Sequence, residues 1–332
     1  MGLLVPVMCL ISIATFDWTF TRVMPSWMIF LGIFALFWYQ TVDAIDGKQA
    51  RRIDNCSPLG QLLDHNLDQI TFTIATVLVC QALLIGDDVW RIMALAPGVW
   101  IAHYSIEYRT HYTKWHIIVI GFIGATEQLI FQMIGLSFIG FHPRTNAVVN
   151  DEFNIFGHVI TLRDIIILFG FTTGVHYNLT NFYEGMKEAP SKSKAALRLI
   201  PYIQFFGMMY LSSLSQFWSK YTLMFILING LFMTYVTGIF NLNSTAGMQF
   251  NWNFIEPYLF AVIIALDVFK VLPYAAISIS YQMFALWIII NYLVFMYDVI
   301  NQLTNYLNIP FIRVMDKKNP TNMAKDDTKK SK

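Results

Sequence analysis

The chain has 332 residues, of which 56% are hydrophobic and only 13% are charged, and its formal net charge is +1. Water-soluble domains carry about 25% charged residues, so this composition excludes an ordinary soluble fold, a disordered chain and a collagen-like chain. The surplus apolar surface requires lipid. An aromatic content of 16% is typical of helices that pack in a bilayer and are anchored at its interfaces.

Ten segments are apolar enough to be candidate membrane spans. A helix needs about twenty mostly apolar residues to cross roughly 30 Å of hydrocarbon, and its backbone polar groups must bond within the segment. In chain order the predicted spans are 2–16, 25–42, 61–85, 89–108, 116–141, 163–184, 196–217, 221–241, 253–279 and 281–307. The sequence therefore predicts an all-α fold, a polytopic transmembrane helix bundle with about ten spans.

The basic residues predict how this bundle is oriented. Cytoplasmic loops carry an excess of Lys and Arg, and sixteen of the 22 Lys and Arg residues lie on one side of the ten-span arrangement. That side holds both termini and the segment 43–68, so we predict that all three are cytoplasmic. The predicted organisation is one membrane domain over 1–312 and a polar cytoplasmic tail over 313–332.

The three cysteines, Cys9, Cys56 and Cys80, are widely scattered in the sequence. They form no C-x-x-C pair, and no His accompanies them at zinc-ligand spacing. They therefore predict neither a disulfide framework nor a zinc site.

Four aspartates lie beside or inside two predicted spans, where a bilayer disfavours charge. Asp43 and Asp46 are three residues apart at the end of the second span, and Asp64 and Asp68 are four apart at the start of the third. Each pair therefore shares a helix face, and antiparallel packing across a loop at 47–60 would bring the two faces together. Carboxylate oxygens favour Mg²⁺ or Mn²⁺ over zinc, and this much charge suits a two-metal site that binds phosphoryl groups.

Small residues and an arginine accompany these aspartates. Gly47, Ala50 and Gly60 would let a bulky ligand or a partner backbone approach closely. The Arg51 guanidinium could reach a phosphate oxygen bidentately. Together with the carboxylates, these residues predict a substrate that carries a pyrophosphate.

The same residues form the pattern D-x2-D-G-x2-A-R-x8-G-x3-D-x3-D, in which every fixed position between 43 and 68 is filled. This pattern resembles the signature of the CDP-alcohol phosphotransferase family. The neighbouring stretches Y-Q at 39–40, S-P-L-G at 57–60 and D-H at 64–65 resemble its choline/ethanolamine phosphotransferase branch, which also has ten spans.

The resemblance implies an enzyme that transfers phosphocholine or phosphoethanolamine from CDP-choline or CDP-ethanolamine to the hydroxyl group of diacylglycerol, with release of CMP. It implies two Mg²⁺ ions, with Mn²⁺ as the alternative, held by Asp43, Asp46, Asp64 and Asp68. His65 is implied as the base that takes the hydroxyl proton, and Asp68 is the alternative base. Substrate contacts are implied for Tyr39, Gly47, Ala50, Arg51, Gly60 and Gln61.

Two acidic residues further along the chain resemble the branch more loosely. Glu107 lies at the cytoplasmic end of the fourth predicted span, and Glu127 lies inside the fifth. Carboxylates with tyrosines nearby could face the cationic headgroup of the donor, which predicts a substrate-binding role for both. Polar contact between helices is the alternative explanation.

Two other functions stay open. Relatives normally have a longer first span, so the first span is expected to be truncated here, and a catalytically inactive membrane paralogue is one alternative. A CDP-diacylglycerol-dependent phosphatidyltransferase is the other, although such relatives generally have about six spans.

The last four residues, Lys329-Lys330-Ser331-Lys332, resemble a cytosolic K-K-x-x retrieval signal. We therefore predict a multi-pass protein of the endoplasmic reticulum membrane, with the Golgi as the alternative. The predicted partners are the CDP donor, diacylglycerol and the lipid bilayer. A homodimer is left open, and no nucleic-acid partner is expected.

Overall fold

The computed structural model describes residues 2–115, 124–155 and 157–309, and 77% of these residues are helical. Within these ranges the α-helices are α1 (Leu4–Phe16), α2 (Ser26–Arg52), α3 (Pro58–Ala82), α4 (Val89–Leu95), α5 (Trp100–Thr113), α6 (Ala125–Phe141), α7 (Leu162–Glu188), α8 (Lys192–Leu197), α9 (Ile200–Ser213), α10 (Thr222–Ala246), α11 (Glu256–Val268) and α12 (Tyr274–Leu307). Short 3₁₀ turns lie at Ala96–Gly98 and Thr145–Asn150. The prediction of a helical bundle is confirmed.

Three of the described helices, α2, α10 and α12, are long and apolar enough to cross a membrane by length and composition. Helix α10 is central, since 72% of its most apolar stretch is buried, whereas α12 is peripheral, with 22% buried. The fourth predicted span is broken into α4 and α5 at Pro97. The count of about ten spans and the cytoplasmic termini stay predictions. Residues 116–123 of the fifth predicted span and the predicted tail 313–332 lie outside the described residues.

The loop predicted at 47–60 is wrong in extent, because α2 continues to Arg52 and the connection to α3 is only 53–57. The residues from Lys48 to Arg52 include Gln, Ala and Arg, which favour a helix. Basic side chains in the last turn also stabilise the negative end of the helix dipole. The predicted site residues up to Arg51 are therefore helical and have fixed directions.

The boundary between the last two predicted spans, placed at 280, is also wrong. Helix α11 ends at Val268 and α12 begins at Tyr274, directly after Pro273. Lys270 between them has a left-handed backbone, with φ of 54°. Proline has no amide hydrogen and disfavours helix in the residue before it, so the chain turns here and not at 280.

One two-stranded hairpin departs from the predicted all-α fold. Strand β1 (Glu152–Ile155) pairs antiparallel with β2 (His158–Thr161), with Phe153 opposite Ile160. Gly157 in the turn has φ of +81°, a conformation that glycine adopts at little cost. Thr161 then caps α7, because its side chain accepts a hydrogen bond from the Asp164 amide.

Helix α3 is held close to the central helix α10 by two glycines. A Cβ atom on Gly230 would lie 2.4 Å from Cγ2 of Thr73, and one on Gly238 would lie 2.4 Å from Oδ1 of Asn66. The Trp100 indole also donates a 3.1 Å hydrogen bond to the Thr73 hydroxyl, which ties α5 to α3. These contacts fix the helix that carries half of the predicted aspartates.

We expect Gly230→Ala to lower the thermal unfolding midpoint of the detergent-solubilised protein. Overpacking against Thr73 should cost about 1–3 kcal/mol, which exceeds the roughly 1 kcal/mol that alanine gains in helix propensity. Gly207→Ala in α9 is the matched control, because no heavy atom lies within 4 Å of its added Cβ. Equal midpoints for the two variants would contradict the close packing of α3 and α10.

Candidate active site

Three of the four predicted aspartates meet where α2 and α3 come together. Asp43 from α2 and Asp64 and Asp68 from α3 each offer a carboxylate oxygen, and these oxygens lie within 4.8 Å of one another. All three side chains are half-buried. The Tyr39 hydroxyl donates a 2.8 Å hydrogen bond to Oδ1 of Asp68, which holds that carboxylate toward the others.

The fourth aspartate, Asp46, is exposed and lies outside this closest group. It remains within electrostatic range of Asp64. Its side chain lines a neighbouring open groove of about 420 Å³ along the end of α2, together with Gln49, Ala50 and Asn55. The structure therefore brings three carboxylates together and places the fourth beside them.

The carboxylate group fits a hard divalent cation. Like charges this close repel strongly in a partly dry environment, and a cation would offset that repulsion. The donors are all oxygen, which suits Mg²⁺, Mn²⁺ or Ca²⁺. The described residues thus contain a group that could hold a metal at the predicted place.

His65, next to Asp64 in the chain, is held by a buried carboxylate. Its Nδ1 lies 2.7 Å from Oε1 of Glu107 on α5, whose side chain is only 4% exposed. Because a carboxylate can only accept, Nδ1 carries the hydrogen in this contact. The side-chain nitrogen of Asn241 on α10 lies 3.0 Å from the same Nδ1 and does not donate to it in this tautomer.

A cavity of about 110 Å³ connects the carboxylates with the imidazole. Its polar lining includes Tyr39, Asp43, His65, Asp68 and His103. Its remaining walls include apolar side chains, namely Phe72, Ile106 and Leu129. A reacting group bound in this cavity would contact carboxylates and an imidazole on one part of the wall and apolar side chains on the rest.

The remaining substrate residues predicted near the aspartates lie at the exposed ends of α2 and α3. Arg51, Gly60 and Gln61 are exposed, and Gly47 and Ala50 are half-buried. A Cβ atom on Gly47 would lie 3.5 Å from Nη1 of Arg51, so the arginine folds back along its own helix. Gly60 donates its amide hydrogen to the Ser57 hydroxyl that caps α3, at 3.0 Å.

The two predicted glutamates occupy different places. Glu107 contacts His65, whereas Glu127 in the first turn of α6 lies within electrostatic range of Tyr177 on α7. Thr126, next to Glu127, lines the cavity, but Glu127 does not. One oxygen of Glu127 is buried without a hydrogen-bond partner among the described residues.

Sequence reasoning missed two residues that contact this site, His103 and Asn241. The ring of His103 meets the ring of His65 edge to face, with centroids 5.7 Å apart. Asn241 is the last residue of the predicted span 221–241, for which the sequence predicts no site residue. The spacing of His103 and Glu107, four residues apart, was the available signal, because such residues share a helix face. No comparable signal in the sequence indicates Asn241.

Comparison with known proteins identifies chains that are similar to this one. Residues 2–139 match the family described as CDP-alcohol phosphatidyltransferase. Cholinephosphotransferase 1 of Saccharomyces cerevisiae is 27% identical over 321 residues, which cover 89% of this chain and 80% of the yeast protein. Human cholinephosphotransferase 1 is 30% identical over 184 residues, or 55% of this chain and 43% of the human protein.

A third relative, the uncharacterized CDP-alcohol phosphatidyltransferase class-I family protein 2 of Dictyostelium discoideum, is 26% identical over 304 residues, which cover 88% of this chain and 70% of that protein. The aspartates that meet in the structure all lie within the matched residues 2–139. Residues 2–139 of the chain are thus similar to the CDP-alcohol phosphatidyltransferase domain.

We expect Asp43→Asn to weaken Mn²⁺ binding by at least about tenfold, since even residues that only orient metal ligands typically contribute 10–100-fold. Free Mn²⁺ can be measured by electron paramagnetic resonance during a titration of the metal-stripped protein. Asp87→Asn, which removes an exposed carboxylate from the α3–α4 connection, should leave binding unchanged. Equal affinities in the wild type and Asp43→Asn would exclude Asp43 as a ligand.

Proposed function

We propose that the protein transfers phosphoethanolamine or phosphocholine from its CDP ester to diacylglycerol, forming phosphatidylethanolamine or phosphatidylcholine and CMP. The observation that carries this proposal is a cavity between α2, α3, α5 and α6 that is lined by Asp43, Asp68 and the His65 imidazole, with a carboxylate oxygen of Asp64 within 4.8 Å of those of the two aspartates. The relatedness to yeast cholinephosphotransferase 1 over most of this chain supports the same reaction class.

Asp43, Asp64 and Asp68, with Asp46 beside them, would hold two Mg²⁺ ions, and Mn²⁺ is the alternative. When bound, these ions would supply charge stabilisation to the pyrophosphate and to the departing CMP. The all-oxygen donor set of the carboxylate group supports the choice of ion. Tyr39 would keep Asp68 turned toward the cavity through its hydrogen bond.

His65 would act as the general base. With Nδ1 directed at Glu107, the proton of the diacylglycerol hydroxyl would pass to Nε2 as the hydroxyl oxygen attacks the β-phosphorus. Glu107 would fix the ring orientation and favour the imidazolium that results. Asp68 is the alternative base, but its place among the carboxylates and its bond to Tyr39 favour a role as metal ligand.

The exposed ends of α2 and α3 would bind the nucleotide part of the donor. Arg51 would contact phosphate oxygens, while Gly47, Ala50, Gly60 and Gln61 would lie against the CDP group. The open groove that Asp46 and Ala50 line supports this placement.

Headgroup binding is proposed for Glu127. It is also proposed for Glu107, as a second role in addition to its contact with His65. A cationic headgroup would be attracted by either carboxylate. The contact of Glu107 with His65 favours Glu127 for this role. The choice between choline and ethanolamine can be made by comparing kcat/KM for CDP-choline and CDP-ethanolamine.

In the membrane we propose about ten spans, with both termini cytoplasmic. Residues 1–312 would form the membrane domain and 313–332 the cytoplasmic tail. The charge asymmetry of the loops supports this orientation. Residence in the endoplasmic reticulum membrane is proposed, with the Golgi as the alternative, and a homodimer is compatible with the exposed apolar faces of the bundle.

We expect the purified protein, with Mg²⁺ and diacylglycerol, to release CMP from CDP-ethanolamine or CDP-choline. Asp64→Asn should reduce CMP release to background, because the carboxylate group would lose one oxygen donor, and Asp87→Asn should retain the wild-type rate. The ratio of kcat/KM for the two donors would assign the headgroup. Release of CMP only from CDP-diacylglycerol and a soluble alcohol would establish the phosphatidyltransferase alternative, and no release from any donor would establish an inactive paralogue.

We expect His65→Ala to lower kcat by about 10²–10⁴-fold, the usual contribution of a general base. Glu107→Gln should lower kcat by at least about tenfold, because glutamine cannot stabilise the imidazolium as a carboxylate does. The His65→Ala variant should leave KM for the CDP donor within a few-fold of the wild type. An unchanged kcat in His65→Ala would exclude it as the base and leave Asp68.

A further inference from the structure

A second group of potential metal ligands lies beside the carboxylates. One ligand atom from each of His65, His103 and Glu107 can be chosen so that all lie within 4.8 Å of one another. His103 and Glu107 are one turn apart on α5, and His65 comes from α3. His103 and Glu107 are 5% and 3% exposed, so the group is largely shielded from bulk water.

The donor chemistry of this group differs from that of the aspartates. Two imidazoles and one carboxylate suit Zn²⁺ and similar transition metals, whereas carboxylates alone suit Mg²⁺. Three protein ligands of the His₂Glu type, with a fourth position open, are an established zinc arrangement. Tetrahedral zinc places its ligand atoms about 3.4 Å apart, given zinc–nitrogen bonds near 2.1 Å. The ligand atoms of the group all lie within 4.8 Å of one another.

The position of the group means that a bound ion would affect the proposed chemistry of His65. His65 and His103 both line the cavity that also contacts Asp43 and Asp68, so an ion bound there would lie next to the proposed substrate site. Once bound, it would exchange the hydrogen bond between His65 and Glu107 for bonds to the metal. His65 would then be unable to accept a proton.

We propose that His65, His103 and Glu107 form a zinc-selective site, and that its occupation inhibits transfer while Mg²⁺ is still bound at the aspartates. The binding part of this proposal is independent of catalysis. The inhibition part rests on the proposed role of His65 as the base.

Binding is tested by calorimetric titration of Zn²⁺ into the full-length, metal-stripped protein in detergent with saturating Mg²⁺. We expect one high-affinity site, with affinity reduced at least tenfold in His103→Asn and Glu107→Gln. His103→Cys should retain it, because a thiolate is also a zinc ligand, and this retention would exclude misfolding as the cause of the loss. His158→Asn, in the exposed hairpin, is the control that should match the wild type.

Two results would overturn the site. One is unchanged zinc affinity in both His103→Asn and Glu107→Gln. The other is a loss of affinity confined to Asp43→Asn and Asp64→Asn, which would assign zinc to the aspartates.

Inhibition is tested with CMP release at saturating Mg²⁺, each variant being normalised to its own rate without zinc. We expect the half-inhibitory Zn²⁺ concentration to rise at least tenfold in His103→Asn and to stay near the wild-type value in His103→Cys and His158→Asn. The same half-inhibitory concentration in His103→Asn and wild type would overturn inhibition through this site. If no CMP is released under any condition, the proposed function fails, while the calorimetric result still decides the zinc site.

Discussion

Repulsion among three carboxylates is the constraint on which the rest of this structure depends. Asp43, Asp64 and Asp68 lie within a few ångströms at the ends of two helices, where partial exclusion of water strengthens their repulsion. Without rigid support, α2 and α3 would move apart until water reached each carboxylate. The close contacts of α3 with α10 at Gly230 and Gly238 supply that support. The packing of α3 against α10 thus keeps the carboxylates close together, and a bound cation would relieve their repulsion.

The same packing places oxygen donors and nitrogen donors on different sides of one cavity. Oxygen donors lie on the side of α2 and the start of α3, and nitrogen donors lie where α3 faces α5. Asp64 and His65 are adjacent in sequence, so a rotation of α3 would move both groups together. The hydrogen bond of Trp100 to Thr73 opposes such a rotation. The position of the aspartates relative to His65 is therefore set by α3 and by the contacts that prevent α3 from rotating.

The sequence predicted the pairs of aspartates but not their different exposure. Residues four apart are offset by about 40° around a helix and residues three apart by about 60° in the opposite sense, given 3.6 residues per turn. Asp64 and Asp68 accordingly stay together, while Asp46 diverges from Asp43 toward the exposed groove. The predicted span ended at residue 42 and the predicted loop began at 47, because length and hydropathy end a span where polar residues begin. The direction of Asp46 was therefore not predicted.

Contacts between distant parts of the chain could not be predicted in this way. Helical spacing relates residues within one turn or two, but it carries no information about which face of α5 meets α3. Glu107 and Glu127 consequently looked equivalent in the sequence, as acids near tyrosines in neighbouring spans. In the structure one holds an imidazole at 2.7 Å and the other lies toward α7. Two acidic residues of similar sequence context have thus acquired different surroundings, because packing placed one of them against the His65 imidazole.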